Sequence, residues 1–151
     1  MEMIIEQMPL MNIVFKRNVG PYGESNYTTM ERIKNFAKDN NLFNEDAIIL
    51  GISRDNPETT KPENCRYDAC IVVSENFKTE EYDIQKGIIE GGKYAVFIIE
   101  HTAEAVQKAW NEIFQDVLSR GYKIDSSKCI LERYRVKMIN NNKCEICIPI
   151  L

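Results

Sequence analysis

The chain has 151 residues, 44% of them hydrophobic and 28% charged, with a formal net charge of −4, a size that suits one compact domain or two small halves sharing a core. The acidic balance argues against a broad phosphate-binding surface, since nucleic-acid affinity rests on clustered Lys and Arg, so direct nucleic-acid binding is not expected. No apolar run approaches the roughly 20 residues needed to cross a bilayer, so no membrane partner is expected either.

The chain opens on MEMIIEQMPLM, which carries acids where a signal peptide has its basic region and lacks a long apolar stretch, so secretion is not expected. Ile4–Glu6 and Asn12–Arg17 read as short strands broken at Met8-Pro9. From Glu24 to about Asp39 the apolar residues Tyr27, Met30, Ile33, Phe36 and Ala37 recur at three- and four-residue steps. With Gly20-Pro21 ahead and Asn40-Asn41 behind, that spacing predicts an amphipathic helix. Ala47–Ser53 is an apolar run of strand length, RDNPETTKPEN is a polar loop with two prolines, and DACIVV is another strand.

The same order then returns: DIQKGII, a Gly91-Gly92 hairpin turn, KYAVFII, a helix, CILERYRV, an Asn-rich turn and finally CEICIPI. Thr102 is the expected N-cap of that second helix. Ala105, Val106, Ala109, Trp110, Ile113, Phe114, Val117 and Leu118 make its apolar stripe, which ends near Gly121. RYDACIVV (66–73) and KCEICIPI (143–150) match closely, each with an acid two residues after a base and then a Cys, at a spacing of about 77 residues. The expected architecture is therefore α+β: two tandem units, about 1–76 and 77–151, each a β-hairpin or meander packed on one helix, whose sheets join so that neither leaves its apolar face in water.

Most sequence signals for other chemistry fail. Cys144 and Cys147 form a C-x-x-C, but in a strand their sulfurs point apart from a convergent zinc or redox geometry. Five cysteines, an odd number without framework spacing, suit free thiols in a reducing cytoplasm. His101 is the only histidine and stands just before a helix, where a surface or capping role is expected, so no histidine-based metal cluster is available. Gly91-Gly92 lacks the accompanying pattern of a phosphate loop. No cofactor is expected.

The segments RNVGPYGE (17–24), RYDACIVV, GGKYAVF (91–97), AWNEIF (109–114), LERY (131–134) and CEICIPI, in this order, resemble the GyrI-like small-molecule-binding domain. That module makes up the SbmC-type DNA gyrase inhibitory protein and the effector domains of some AraC- and MerR-type transcription regulators. The resemblance spans nearly the whole chain and implies a pseudo-twofold pair of strand-helix-strand-strand units, two long helices on a curved antiparallel sheet, and a ligand groove between the repeats on the concave side. It departs from the pattern at EHTAEA (100–105), where relatives often carry a Gly-Pro-like turn, and the chain contains no helix-turn-helix segment with which to read DNA.

Strand alternation adds an independent pointer. In CILERYRV, Ile130, Glu132, Tyr134 and Val136 share a face, which sets Glu132 among apolar and aromatic neighbours. A carboxylate there must be neutral, hydrogen-bonded, paired with a base such as Arg54 or Arg66, or left for a cationic ligand. The resemblance favours the ligand, because related effector domains use an acid on this strand. Tyr134, Trp110, Tyr94, Phe97, Tyr67, Tyr22 and Tyr27 are the aromatic candidates for the groove, suited to a hydrophobic or aromatic cation through stacking and cation–π attraction. Two alternatives stay open. One is a hydrolase of cyclopropane-containing genotoxins, with Glu132 as general base and Glu145 or Tyr134 assisting; the other is a protein-interaction module that contacts DNA gyrase.

Overall fold

The computed structural model describes all residues, 1–151. Its elements in chain order are β1 (Glu2–Met8), β2 (Met11–Val19), α1 (Glu24–Asp39), β3 (Ile48–Ser53), β4 (Arg66–Val73), β5 (Gln85–Ile89), β6 (Gly92–Glu100), α2 (Ala103–Ser119), β7 (Leu131–Arg135), the four-residue α3 (Val136–Ile139) and β8 (Lys143–Pro149). The strands form one antiparallel sheet in the order β1-β6-β8-β7-β3-β4-β2-β5. That order reads backwards as itself when each strand number is shifted by four, so β4 and β8, the two matching segments, each stand third from an end.

The sheet must curl. β1 and β2 lie six strand spacings apart, about 29 Å in a flat sheet, yet only Pro9 and Leu10 join them, a link that reaches about 11 Å at most. The two ends are therefore folded toward each other. Inside the curl Met8, Ile13, Phe15, Leu50, Tyr94, Val96 and Leu131 close into a single buried cluster drawn from both ends.

This closure corrects the expected Gly91-Gly92 hairpin. β5 pairs with β2 while β6 pairs with β1 and β8, so the flanking strands never pair with each other. The turn instead crosses over the β1–β2 link: a Cβ on Gly91, whose φ is +83°, would lie 2.5 Å from the Met8 carbonyl oxygen and 2.6 Å from that of Pro9. Only glycine fits there.

Both long helices pack on the outer face. α1 buries Met30, Ile33, Phe36 and Ala37 against Val14, Ile49, Ala69 and Ile71. α2, capped by the Thr102 hydroxyl accepting from the Ala105 N–H at 3.1 Å, buries Ala109, Ile113 and Val117 against Ala95, Phe97 and Ile146. Its stripe is narrower than expected, with Phe114 and Leu118 at 37% and 54% exposure. Neither α1 nor α2 is long and apolar enough to cross a membrane.

Candidate functional site

α1 packs mainly over β2 and β4, and α2 over β6 and β8, which leaves the β3–β7 seam at the sheet centre only partly covered. A cavity of about 610 Å³ occupies this gap. Its floor is Ile49, Tyr67, Glu132 and Tyr134, its α1 wall includes Asn26, Tyr27, Met30 and Lys34, and its far side is His101, Val136 and Ile139. The groove expected on the concave side is thus on the helix-bearing face instead, because the inside of the curl is filled by the buried cluster.

Glu132 has no ion-pair partner. Arg54 is committed to Asp68 at 2.8 Å and Arg66 to Asp55 at 2.9 Å, and the one side chain that bonds Glu132 is Tyr134, whose hydroxyl donates to Oε2. Burial pushes the Glu132 carboxyl above the usual carboxylate range, against a smaller lowering by that hydrogen bond. The Tyr134 hydroxyl is held well above the ordinary phenol range by burial and by the neighbouring carboxylate. His101 sits edge-on to the Tyr134 ring, with centroids 5.7 Å apart. The arrangement is a desolvated acid on an aromatic floor, open to an incoming charge.

Tyr67 reaches the cavity because residue 51 is glycine: a Cβ there would lie 2.6 Å from the Tyr67 hydroxyl oxygen. Gly51 pairs with Glu132 across the β3–β7 seam, so this missing side chain opens space next to the acid.

Of the residues anticipated from sequence, Glu132, Tyr134, Tyr67 and Tyr27 line the cavity, Tyr27 at its exposed rim. Four do not. Tyr94 and Phe97 are three residues apart on β6 and so face opposite sides of the sheet. Tyr94 lies inside the curl, donating to the Cys129 carbonyl at 3.2 Å, and Phe97 lies under α2. Trp110 packs on the α2 cluster beside Phe114, ring centroids 6.2 Å apart. Tyr22 clamps two loops, its hydroxyl accepting from the Asp55 N–H at 3.1 Å and donating to the Arg66 carbonyl at 2.7 Å. Glu145, considered as a helper to Glu132, faces inward on the opposite side, where Arg133 and Arg135 each donate to it at 2.8 Å.

The Asn26, Lys34, Phe43 and His101 contributions were not read from sequence. Asn26, Met30 and Lys34 follow one another at four-residue steps along α1, a period that the apolar count missed because two of the three are polar. His101 is exposed, as its position just before α2 predicts, but stands at the cavity mouth.

Comparison with known proteins finds that the family model for the GyrI-like small molecule binding domain matches residues 1–151. The SPbeta prophage-derived protein YosT of Bacillus subtilis (strain 168), described as a candidate transcriptional regulator, is 40% identical over 151 residues, 99% of each chain. A DNA gyrase inhibitor of Yersinia enterocolitica is 30% identical over 130 residues, 83% of this chain and 81% of its own. Among solved structures, the EcmrR C-terminal domain superposes with a TM-score of 0.76 at 18% identity, over 99% of this chain and 97% of that one. SAV2435 bound to tetraphenylphosphonium gives a TM-score of 0.61 at 15% identity, over 100% and 94% of the two chains.

Proposed function

The chain belongs to the GyrI-like family of small-molecule-binding domains, and on that premise we propose that it is an effector-binding domain capturing a hydrophobic cation in the cavity between α1 and the β3–β7 seam. The observation that carries this reading is Glu132, a buried acid with no protein base beside it and one phenol donor. An aromatic cation offers it the missing charge, and the Tyr67, Tyr134 and Tyr27 rings offer flat surfaces on which to stack. A cavity of about 610 Å³ is of the size that holds a drug-like molecule. The tetraphenylphosphonium carried by SAV2435 is a ligand of this chemistry on the same fold.

In this reading residues 1–76 and 77–151 are two repeats of one unit, and the ligand sits at their junction, since Tyr67 and Ile49 come from one and Glu132 and Tyr134 from the other. The biological role is transcription-regulator-related sensing or toxin sequestration in a reducing cytoplasm, consistent with five free thiols.

The test is a thermal-shift and calorimetric screen with aromatic cations, tetraphenylphosphonium among them. Binding raises Tm by an amount that follows RT ln(1 + [L]/Kd), and Glu132→Gln is expected to remove most of the rise. No response to any cation, or a response that Glu132→Gln leaves intact, sinks the proposal.

A further inference from the structure

Four side chains that line the cavity carry a formal charge: Glu31, Lys34 and Lys38 on α1, and Glu132 on the floor. Two of them answer each other, since Lys34 Nζ stands 3.7 Å from Oε1 of Glu31, three residues earlier. That leaves Glu132, which has no protein base beside it, and Lys38, which forms no ion pair and holds its ammonium over the Phe43 ring, 5.3 Å from the centroid. Lys38 is exposed on the last turn of α1, and Phe43 is a further lining residue. One cavity therefore carries an unmatched negative charge on its floor and an unmatched positive charge at its rim, and apolar and aromatic side chains make up most of the remaining lining.

A simple monocation answers only the first of these charges. We propose that the ligand is a zwitterion: a hydrophobic cation that bears an anionic group at its other end, with the cationic end on Glu132 and the anionic end at Lys38. The inference rests on the hydrophobic-cation reading above and adds a second charge to its ligand class.

A lysine in the last turn of a helix also complements the helix dipole, so the test is read through ligand affinity rather than stability. An added carboxylate is repelled by Glu132, by Glu31 and by the net charge of −4, and it loses hydration on approaching the cavity, so without Lys38 it weakens binding. Lys38 reverses that order. Calorimetry on the full chain would compare (4-carboxybutyl)triphenylphosphonium, ionised at neutral pH, with its primary carboxamide, which has the same bulk and the same cationic end but no anion. The same pair with carboxypropyl and carboxypentyl tails covers the reach to the rim.

The expected result is that, for at least one tail length, the carboxylate binds about threefold to fivefold more tightly than the amide at low salt, the upper range for one exposed ion pair. That ratio should fall toward one in about 1 M salt, where the screening length is about 3 Å. Lys38→Gln, a change at an exposed position, should bring the ratio to one or below and leave the amide bound as tightly as before or slightly more so. A carboxylate that binds no better than its amide at every length, or an advantage that survives Lys38→Gln, overturns the zwitterion. Amides that still bind, with that binding lost in Glu132→Gln, then leave the cation reading standing. Failure of every probe overturns both.

Discussion

Gly51 and Tyr67 form a complementary pair: the phenol hydroxyl takes the space that a side chain at 51 would fill. Gly51→Ala is expected to destabilise the protein by about 1–3 kcal/mol, the usual cost of overpacking, and to weaken cation binding. Because the close approach is to the hydroxyl oxygen at 2.6 Å, while the ring carbon behind it lies at 3.4 Å, Tyr67→Phe should restore most of that loss in the double variant. A denaturation cycle over the four proteins checks this, and additive effects would refute it. Glu132 makes a second prediction. Its folded pKa is raised, so the stability it contributes is full below about pH 4.5 and is lost as pH rises through the folded value. Glu132→Gln should therefore match the wild type near pH 4 and exceed it at pH 7. Each tenfold rise in proton affinity is worth about 1.4 kcal/mol, a few degrees in Tm for a domain of this size. Alternation along one strand made Glu132 and Tyr134 legible in the sequence. Tyr94 and Trp110 were misplaced because strand pairing and helix rotation against the sheet are long-range properties that no local window contains.

At the scale of elements, the likeness of β4 and β8 has a structural cause inside the curl. Asp68 on β4 is fully buried and held by Arg17 at 2.7 Å and Arg54 at 2.8 Å. Glu145, which stands correspondingly on β8, is 1% exposed and held by Arg133 and Arg135 at 2.8 Å. The acid in each segment thus ties its strand to neighbours of opposite charge, and neither reaches the cavity. Asp68→Asn leaves Arg17 and Arg54 without their buried partner and should cost about 3–5 kcal/mol, whereas Glu145→Gln should cost less, because Arg133 keeps Glu6 at 2.9 Å and Arg135 is partly exposed. Urea unfolding measures that loss, while the cation affinity of the folded fraction should stay unchanged; a change in affinity without loss of stability would contradict the assignment. The sequence revealed that the two acids correspond, but not their task, since their arginine partners come from strands whose adjacency is set by the whole sheet. The helices were easier to read. α1 matches its predicted span of 24–39 because its periodicity and flanking turns are local, whereas the α2 stripe came out narrower since one helix face can be covered only as widely as the sheet beneath it allows.

The molecule as a whole is an exchange of strands between halves. All seven residues of β1 pair with β6, and β5 pairs only with β2, so each half donates its first strand to the sheet of the other. The short Pro9-Leu10 link and the Gly91 crossover enforce that exchange, and the β3–β7 seam then joins the halves at the centre. A chain cut between residues 76 and 77 should therefore yield two fragments that lack sheet structure alone, because each exposes unpaired strand edges and half of the cluster inside the curl. Mixed in equal amounts, they should recover the β signal in circular dichroism. A half that folds alone with native-like stability would refute this. Cation binding should return only with the mixture, since Asn26 and Tyr67 come from the first fragment and Glu132 and Tyr134 from the second. Folding of the sheet and assembly of the site are then one event, which ties any ligand stabilisation to the junction between the halves rather than to either half.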